Sequence, residues 1–555
     1  MKKMKCIVFL ASVTLLLTGC GQSNVSTEAG VDSTTVAVTD EEVIEGVKIK
    51  LSDEDILVNG EAVSTDADAA VYMAKDIVYY EEGKDFTYGE GTEADEHSAE
   101  EAAAHTVVHI TKPGTYELSG TLSAGQIAVD LGEDAEDNPE AVVALILNNV
   151  DISCSVAPAV IFYNVYECSA ADEETATKDV DTSAAGANVI IADGSENNIS
   201  GSYVARIYES VELNEDGTEV VDSKKLHKYD AAFYSKMSMN VNGGKEGTGV
   251  LNITAENEGL DSELHLTLNG GNINIVSGND GINTNEDYVS VTTVNGGTLD
   301  IQVTGATGEG DGIDSNGWLV INGGTVIAEA CGFSGDAGID SDMGIHINGG
   351  TVIATGNMLD RISDSAQNYV VMNFAETQKA GETYTLKNEK GQTIIECTPE
   401  NDFMYLIVAD DALVEGTYSM WMGDVQLEGA AGGTRDFGGE MPEGMGMPEN
   451  GEMPEGMEMP EGGFGGRMSG GQMPEGMTPP ESMEIPENGE KPEGGQMPEG
   501  MTPPEGMELP ENGEMPQGGF GGRMPGGMGQ VTGEESIEFN IAAGGNYFMG
   551  VTAAE

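Results

Sequence analysis

Positive charge is scarce in this sequence, which has 23 Lys and Arg against 97 Asp and Glu and a net charge of −74 at pH 7. A chain this acidic repels the phosphates of nucleic acids and the headgroups of anionic lipids, so neither is expected as a partner. The same charge attracts divalent cations. A cation site is therefore the first kind of site to look for.

Cysteine is also rare, with six in 555 residues. Cys154, Cys168, Cys331 and Cys397 are scattered without the spacing of metal ligands, and four thiols in so long a chain do not make a disulfide scaffold. Cys154 and Cys168 form a pair in one interpretation, and in the other they are buried free thiols.

No apolar run is long enough to cross a bilayer. Residues 7–17 are apolar and follow three lysines, which is typical of a secretory signal peptide. The run ends in Leu-Thr-Gly-Cys, and lipoprotein processing requires small residues before the cysteine. We predict a signal peptide over 1–19, a lipid on Cys20, a tether over 20–45 and a body at the extracellular face of the cell membrane, attached only through the lipid. An ordinary signal peptide that happens to contain a cysteine is the alternative.

An internal repeat is the most informative feature of the chain. Asn-Gly-Gly recurs in steps of 27, 26, 27 and 26 residues, at Asn242, Asn269, Asn295, Asn322 and Asn348. A second motif of the type Gly-Ile-Asp-Ser keeps the same phase, and short runs of alternating apolar and polar residues separate the motifs. Alternation with Gly and Asn between the runs indicates strands and turns. The period predicts a parallel β-helix with three strands per repeat, and a β-propeller or sandwich is the alternative.

Stacking of the repeats predicts interior columns of apolar residues. One column is Leu260, Ile282, Ile313 and Ile339. A second column is Leu268, Val294, Ile321 and Ile347, each just before an Asn-Gly-Gly turn. The asparagine amides of these turns are expected to hydrogen-bond from one repeat to the next. Residues 145–150, 189–192 and 232–235 are predicted to belong to earlier repeats.

The remaining segments complete an all-β prediction. Residues 46–105 form an N-terminal β-containing segment and 106–368 the β-helix. Residues 369–428 form a small antiparallel cap that covers the end of the stack. Residues 429–533 are rich in Gly, Pro, Glu and Met, and this composition predicts a disordered insertion. Residues 534–555 supply the final strand of the cap.

Four segments carry a resemblance to a known family: Ile-Thr-Lys-Pro-Gly-Thr-Tyr-Glu-Leu-Ser-Gly-Thr-Leu at 110–122, Gly-Gln-Ile at 125–127, Leu-Asn-Asn-Val-Asp-Ile at 147–152 and Ala-Asp-Gly-Ser-Glu-Asn at 192–197. With the repeats, they resemble the secreted bacterial carbohydrate-binding domain family over residues 107–425 and the tail. The resemblance implies a right-handed parallel β-helix like that of pectin-cleaving lyases, binding of plant cell-wall polysaccharides, and calcium. It assigns no individual sugar ligand.

Carboxylates form the candidate metal site. Counting from the buried Ile column places Asp261, Asn283, Asp314 and Asp340 on the outer side of the stack, one repeat apart. Two like charges at this spacing repel by roughly 3–4 kcal/mol at an effective dielectric constant near 20. A calcium ion would reverse the sign of this interaction, and it prefers six to eight oxygen ligands. The predicted set is Asp311, Asp314, Asp336, Asp340 and Asp342, and a hydrated acidic surface without an ion is the alternative.

Trp318 marks the candidate sugar-stacking surface. Alternation places its indole outward, with Val291 one repeat before and Gly344 one repeat after. An exposed indole beside a glycine would form a flat shelf for a sugar ring, although a lone exposed aromatic needs no function. His265 and His346 are predicted to face outward near it.

Basic residues are absent between Lys245 and Arg361, which disfavours catalysis. A lyase of uronate polymers needs a Lys or Arg base beside the metal ion. Paired carboxylates, as a hydrolase uses, carry little information in so acidic a chain. We therefore expect a non-catalytic lipoprotein that binds an acidic polysaccharide such as pectate with the help of calcium. A polysaccharide lyase or hydrolase and a structural adhesin or stalk are the alternatives.

Overall fold

A computed structural model describes residues 46–169, 173–214, 216–432 and 531–554. Within these ranges the chain is all-β apart from one α-helix, Ala99–Ala104, and a 3-10 turn, Glu133–Ala135. Ser98 begins the helix with a capping box, because its hydroxyl accepts from the Glu101 amide while the Glu101 carboxylate accepts from Ser98. No helix in the described ranges has the length and apolarity to cross a membrane. Cys20 and most of the predicted insertion lie outside them.

Strands of successive repeats pair in parallel along three ladders. The first ladder contains Val47–Leu51, the first part of Gly114–Leu122, the first part of Val143–Ser153, Ala187–Ile191, Met239–Gly243, Leu266–Leu268, Val291–Val294, Trp318–Ile321, Gly344–Ile347 and Ile362–Ser365. The second contains the ends of Gly114–Leu122 and Val143–Ser153, then Glu196–Gly201, Val250–Ala255, Asn272–Ser277, Thr298–Val303, Thr325–Glu329 and Thr351–Gly356.

The third ladder carries the Gly-Ile-Asp-Ser motifs. It contains Thr106–Ile110, Gly125–Val129, Val160–Phe162, Ala231–Ser235, Glu258–Ser262, Ile282–Thr284 and Ile313–Ser315, with Val71–Ala74 antiparallel at its start. Two short strands, Leu57–Val58 and Glu61–Ala62, fold back on the first strand, and Tyr208–Leu213 pairs with Val220–Lys225 in a separate hairpin.

The register of the ladders confirms both predicted apolar columns. Leu260 pairs with Ile282 and Ile282 with Ile313, and a single bridge joins Ile313 to Ile339. The second column runs through Leu268, Val294, Ile321 and Ile347. All of these side chains are buried in one continuous core. The period of the sequence therefore sets the vertical alignment of the core.

The Asn-Gly-Gly turns form the predicted amide ladder. The side-chain amide of Asn269 donates to Oδ1 of Asn242 at 3.0 Å. Asn295, Asn322 and Asn348 each donate to the preceding asparagine at 2.9 Å. In the same turns, Gly297 and Gly324 have φ of 84°, a backbone conformation that favours glycine. The repeat of the turn motif therefore has a conformational cause and a hydrogen-bonding cause.

The cap is mostly antiparallel and has its own core. Its strands are Tyr369–Gln378, Tyr384–Asn388, Thr393–Cys397, Phe403–Ala409, Gly416–Met422, Val425–Gly432, Val531–Ser536, Phe539–Ile541 and Gly545–Ala553. Phe403–Ala409 pairs antiparallel with Thr351–Gly356, so the cap covers the exposed edge of the second ladder. Val425–Gly432 runs past the predicted boundary at 428, and residues after 530 contribute three strands where one was predicted.

The four described cysteines are free thiols. Burial raises the pKa of Cys154 to about 11 and that of Cys168 to about 12. Of the two interpretations of Cys154 and Cys168, the structure has the free thiols, of which Cys154 is buried and Cys168 is half-buried.

Candidate functional site

Three of the five predicted metal ligands meet on the outer side of the third ladder. Asp314 follows Ile313 in the strand Ile313–Ser315, Asp340 follows Ile339 one repeat later, and Asp311 lies in the turn that enters the strand. Because Ile313 and Ile339 point into the core, the residue after each of them points to the other side. One carboxylate oxygen from each of Asp311, Asp314 and Asp340 lies within 4.8 Å of the others. The strand register that aligns the buried isoleucines therefore also brings the three carboxylates together.

Burial and mutual repulsion dominate the electrostatics of this group. Asp311 is 6% exposed and Asp314 is 5% exposed. Burial, followed by the charges of Asp280, Asp340 and Asp314, raises the pKa of Asp311 well above its usual range. Burial and the neighbouring Asp360 raise the pKa of Asp340 to about 7. Such a group is unfavourable when fully ionised, and a bound cation would remove the penalty.

Asp336 and Asp342 are not part of the group of three. Oδ2 of Asp336 accepts the Gly310 amide at 2.8 Å and the Ser334 hydroxyl, so this carboxylate fixes the turn before Asp311. Asp342 is exposed. Its charge contributes to the raised pKa of Asp340. The structure therefore gives Asp336 a positioning role and leaves Asp342 at the rim.

Two acids that the sequence prediction omitted belong to the same network. Oδ1 of Asp280 accepts the Asp311 amide at 2.7 Å, one repeat before the group. Oδ2 of Asp360 accepts the Ser341 amide at 3.1 Å, and Asp360 also hydrogen-bonds to Asp340. Asp280 occupies the same place in its motif as Asp311, so the repeat offered a signal for it. Asp360 follows the last repeat motif and had no such signal.

The acidic column continues below the group and is more buried than predicted. Asp261 lies on the outer side of its strand but is fully buried, because the side chains of Asn285 and neighbouring repeats cover it. Oε2 of Glu258 and Oδ2 of Asp261 have no hydrogen-bond partner within the described residues. Buried oxygens of this kind are rare in native proteins unless an ion or water satisfies them. The donor set of this face therefore fits a hard cation.

Trp318 has the predicted neighbours but not the predicted shelf. It pairs with Val291 on one side and Gly344 on the other. Gly344 is buried, and a Cβ on it would lie 2.1 Å from Oγ of Ser363. The space that the prediction left open beside Gly344 is therefore filled by Ser363. Trp318 itself is half-buried, so only part of its ring can contact a ligand.

The prediction that His265 and His346 face solvent is wrong. They are 1% and 9% exposed. Nδ1 of His265 accepts the Val291 amide at 3.1 Å, and Nε2 donates to the Ser169 carbonyl at 3.1 Å, which fixes a neutral tautomer. Burial also lowers the pKa of His265. His265 therefore connects two parts of the fold.

A covering segment explains the burial of His265. The Thr182 hydroxyl lies 2.7 Å from both Oδ1 of Asn240 and Oγ1 of Thr267, on the outer side of the first ladder. Ser169 and Thr182 belong to a segment outside the repeat, so periodicity gave no indication that it lies over these strands.

The sequence profile of the family described as "Carbohydrate-binding domain-containing protein" matches residues 104–431 of the chain. A carbohydrate-binding domain-containing protein of Acetivibrio thermocellus is 29% identical over 169 residues, which are 30% of this chain and 44% of the relative. The match thus spans less than half of that relative. The solved structure of a polysaccharide lyase-like protein from C. thermocellum, a gadolinium derivative, aligns with 55% of this chain and 93% of its own at 21% identity and a TM-score of 0.30.

Proposed function

We propose that this chain, which belongs to the carbohydrate-binding domain-containing protein family, binds an acidic polysaccharide through calcium held by Asp311, Asp314 and Asp340. The observation that carries the proposal is the meeting of three carboxylates within 4.8 Å on a largely buried face. The family indicates that the ligand is a carbohydrate, and the three clustered carboxylates indicate that a calcium ion takes part.

The architecture that supports this function is a right-handed parallel β-helix. Three parallel ladders support it, with paired residues 26 or 27 positions apart in the first two ladders and 22 or 31 apart in the third. The family resemblance supplies the handedness. A lipid on Cys20 would hold this body at the extracellular face of the cell membrane.

Calcium fits the donors better than other common ions. Calcium binds six to eight oxygen ligands in a flexible geometry. The described site offers carboxylates and nearby backbone carbonyls, and it has no cysteine in the group that a softer metal would prefer. Asp311, Asp314 and Asp340 would hold the ion, with Asp360 beside them. Calcium would supply positive charge to a face that otherwise repels anions.

The cation also explains how an acidic protein binds an acidic polymer. The repeats between Lys245 and Arg361 contain no Lys or Arg that could pair with a uronate carboxylate. An ion held on one side by Asp314 and Asp340 has ligand positions left for a sugar carboxylate on the other. The exposed part of Trp318 lies around the next turn and would contact a neighbouring ring.

The proposed activity is binding without cleavage. Proton abstraction next to a uronate carboxyl group needs a base near the metal ion. Arg361 directly follows Asp360 and is exposed, so it is the residue that a lyase reaction at this site would use. The position of Arg361 beside Asp360 is the one observation that favours a polysaccharide lyase, which is the second candidate function.

The test is calorimetric titration of the full chain with polygalacturonate in calcium and in excess chelator. Asp314→Asn with Asp340→Asn should abolish the calcium-dependent binding and leave the circular dichroism spectrum unchanged. Asp342→Asn is the control, because it removes one charge at the rim, outside the group of three. Binding that persists in chelator, or equal loss in the control, would contradict the proposal.

A further inference from the structure

A groove on a different face of the molecule has the construction of a second ligand site. It lies beside the helix Ala99–Ala104 and over the second ladder, with a volume of about 510 Å³. Ligand pockets in proteins have volumes of roughly 300–1,000 Å³. None of Asp311, Asp314 or Asp340 lines it. The groove is therefore separate from the acidic face.

A row of hydroxyl groups forms the floor of this groove. Ser153 pairs with Ser200, and Ser200 pairs with Thr254, so the three occupy one position on successive strands. Their hydroxyls are spaced about 4.8 Å apart along the stack. Ser123 follows Leu122, which pairs with Ile152, and extends the row at one end. The row ends at Val276, the partner of Thr254 on the next strand.

These hydroxyls are available to a ligand. Ser200 and Thr254 are exposed and Ser153 is half-buried. Within the part of the chain that the structure describes, the three side chains have no hydrogen-bond partner, whereas the Ser123 hydroxyl donates to Asp53 at 2.7 Å. A hydroxyl can donate one hydrogen bond and accept two. The row therefore offers both functions at regular intervals.

Buried His105 fixes the walls of the groove. Its Nδ1 donates to the Glu101 carbonyl at 2.8 Å, and its Nε2 lies 3.3 Å from both the amide and the hydroxyl of Ser155. One imidazole thus joins the end of the helix to the turn after the floor strand. The groove is preformed, which reduces the entropic cost of binding.

The charges of the lining favour an uncharged, hydroxyl-rich ligand. Glu101 and Glu256 are the charged residues that line the groove, and they would repel an anion. The Glu101 carboxylate already accepts from Ser98 at 2.8 Å. Glu256 accepts from Ser202 at 2.7 Å and has acceptor capacity left for a sugar hydroxyl.

We propose that this groove binds a short neutral saccharide segment without calcium. It would act independently of the calcium-dependent site, and a chain with both sites could hold neutral and acidic glycans at once. The proposal takes only the carbohydrate ligand class from the proposed function, and its test is independent of calcium.

The experiment measures binding of cellotetraose, xylotetraose and mannotetraose to the full chain in excess chelator by calorimetry and saturation-transfer NMR. At least one should bind the wild type. Ser200→Leu, which fills the floor, should weaken that binding at least tenfold, and Thr254→Val, which removes a hydroxyl at nearly constant shape, should weaken it several-fold. Ser210→Leu, on the separate hairpin, is the matched control and should leave the affinity unchanged.

Polygalacturonate with calcium is titrated into the same variants. Ser200→Leu and Thr254→Val should bind it as the wild type does, which separates failure of this site from failure of the calcium site. The proposal is overturned if no neutral tetrasaccharide binds the wild type in chelator. It is equally overturned if Ser200→Leu and Thr254→Val bind the neutral ligand as tightly as Ser210→Leu does.

Discussion

Asp314→Asn should stabilise the calcium-free protein while it removes the stabilisation by calcium. The substitution keeps the shape of the side chain and removes one charge from three carboxylates within 4.8 Å. At that distance one pair of charges repels by about 3.5 kcal/mol at an effective dielectric constant of 20. Asp314 takes part in two of the three pairs, so its neutralisation relieves most of the repulsion.

The measurable gain is smaller than the Coulomb figure, because the neighbours take up protons. The pKa of Asp311 is raised well above its usual range and that of Asp340 to about 7. At pH 8 Asp340 is mostly ionised, and we expect the calcium-free variant to gain about 2 kcal/mol. At pH 5.5 protonated neighbours already relieve the repulsion, and the gain should be smaller.

Calcium should reverse the order of stability at pH 8. A ligand at 100 times its Kd stabilises the folded state by about 2.7 kcal/mol, and this term applies to the wild type alone. Urea unfolding followed by circular dichroism gives the free energy of unfolding of the wild type and of Asp314→Asn, each in chelator and in calcium. Asp342→Asn is the control and should keep the calcium response.

Two outcomes would refute this reasoning. If Asp314→Asn destabilises the calcium-free protein, the carboxylate makes a net favourable contact in the absence of an ion. If the variant keeps the full calcium response, the ion is bound elsewhere on the acidic surface.

Four further predictions concern other parts of the chain. Burial raises the pKa of Glu329 to about 7, so the stability that its protonated form contributes is present below pH 4.5 and is lost as the pH rises through 7. The free energy of unfolding of the wild type should therefore fall by about 3 kcal/mol between pH 4.5 and 8 from this group. In Glu329→Gln this part of the pH dependence should be absent. Asn322→Ala removes two side-chain hydrogen bonds of the asparagine ladder and should lower the free energy of unfolding, measured in urea, by about 1–2 kcal/mol. Polygalacturonate incubated with calcium should give no rise in unsaturated uronate absorbance; a rise that Arg361→Ala abolishes would establish a lyase. Cys20→Ala should release the protein from membranes or leave it without lipid by mass spectrometry, and unchanged retention with lipid would contradict the anchor.

The repeat predicted the alignment of the strands well, because every repeat must satisfy the same local conditions. Ile282 and Ile313 have to fill one core, and the Asn-Gly-Gly turns need positive φ and an amide partner. A displacement by one residue would turn the apolar side chains to the outside. Columns, ladder pairing and the meeting of Asp314 with Asp340 all follow from that constraint.

Burial of the outer side could not be predicted in the same way. His265 is covered near Ser169, and the space beside Gly344 is filled by Ser363. Ser169 and Ser363 lie in segments that do not repeat, so no period relates them to the strands that they cover. Alternation tells which side of a strand a residue occupies, but the exposure of that side depends on chain segments that are distant in sequence.

The position of the candidate cation site follows from a break in the outer column. Register in the core forces Asp261, Asn283, Asp314 and Asp340 to stack on the outer side, since each follows an apolar residue of one interior column. The neutral Asn283 separates the charge of Asp261 from that of Asp314, which lowers the repulsion at that step. Asp314 and Asp340 have no such spacer, and Asp311 adds a third carboxylate beside them. The fold therefore brings three carboxylates together at this step of the stack. The strand register that fills the core also sets the distances within the cation site, so folding and cation binding depend on the same alignment.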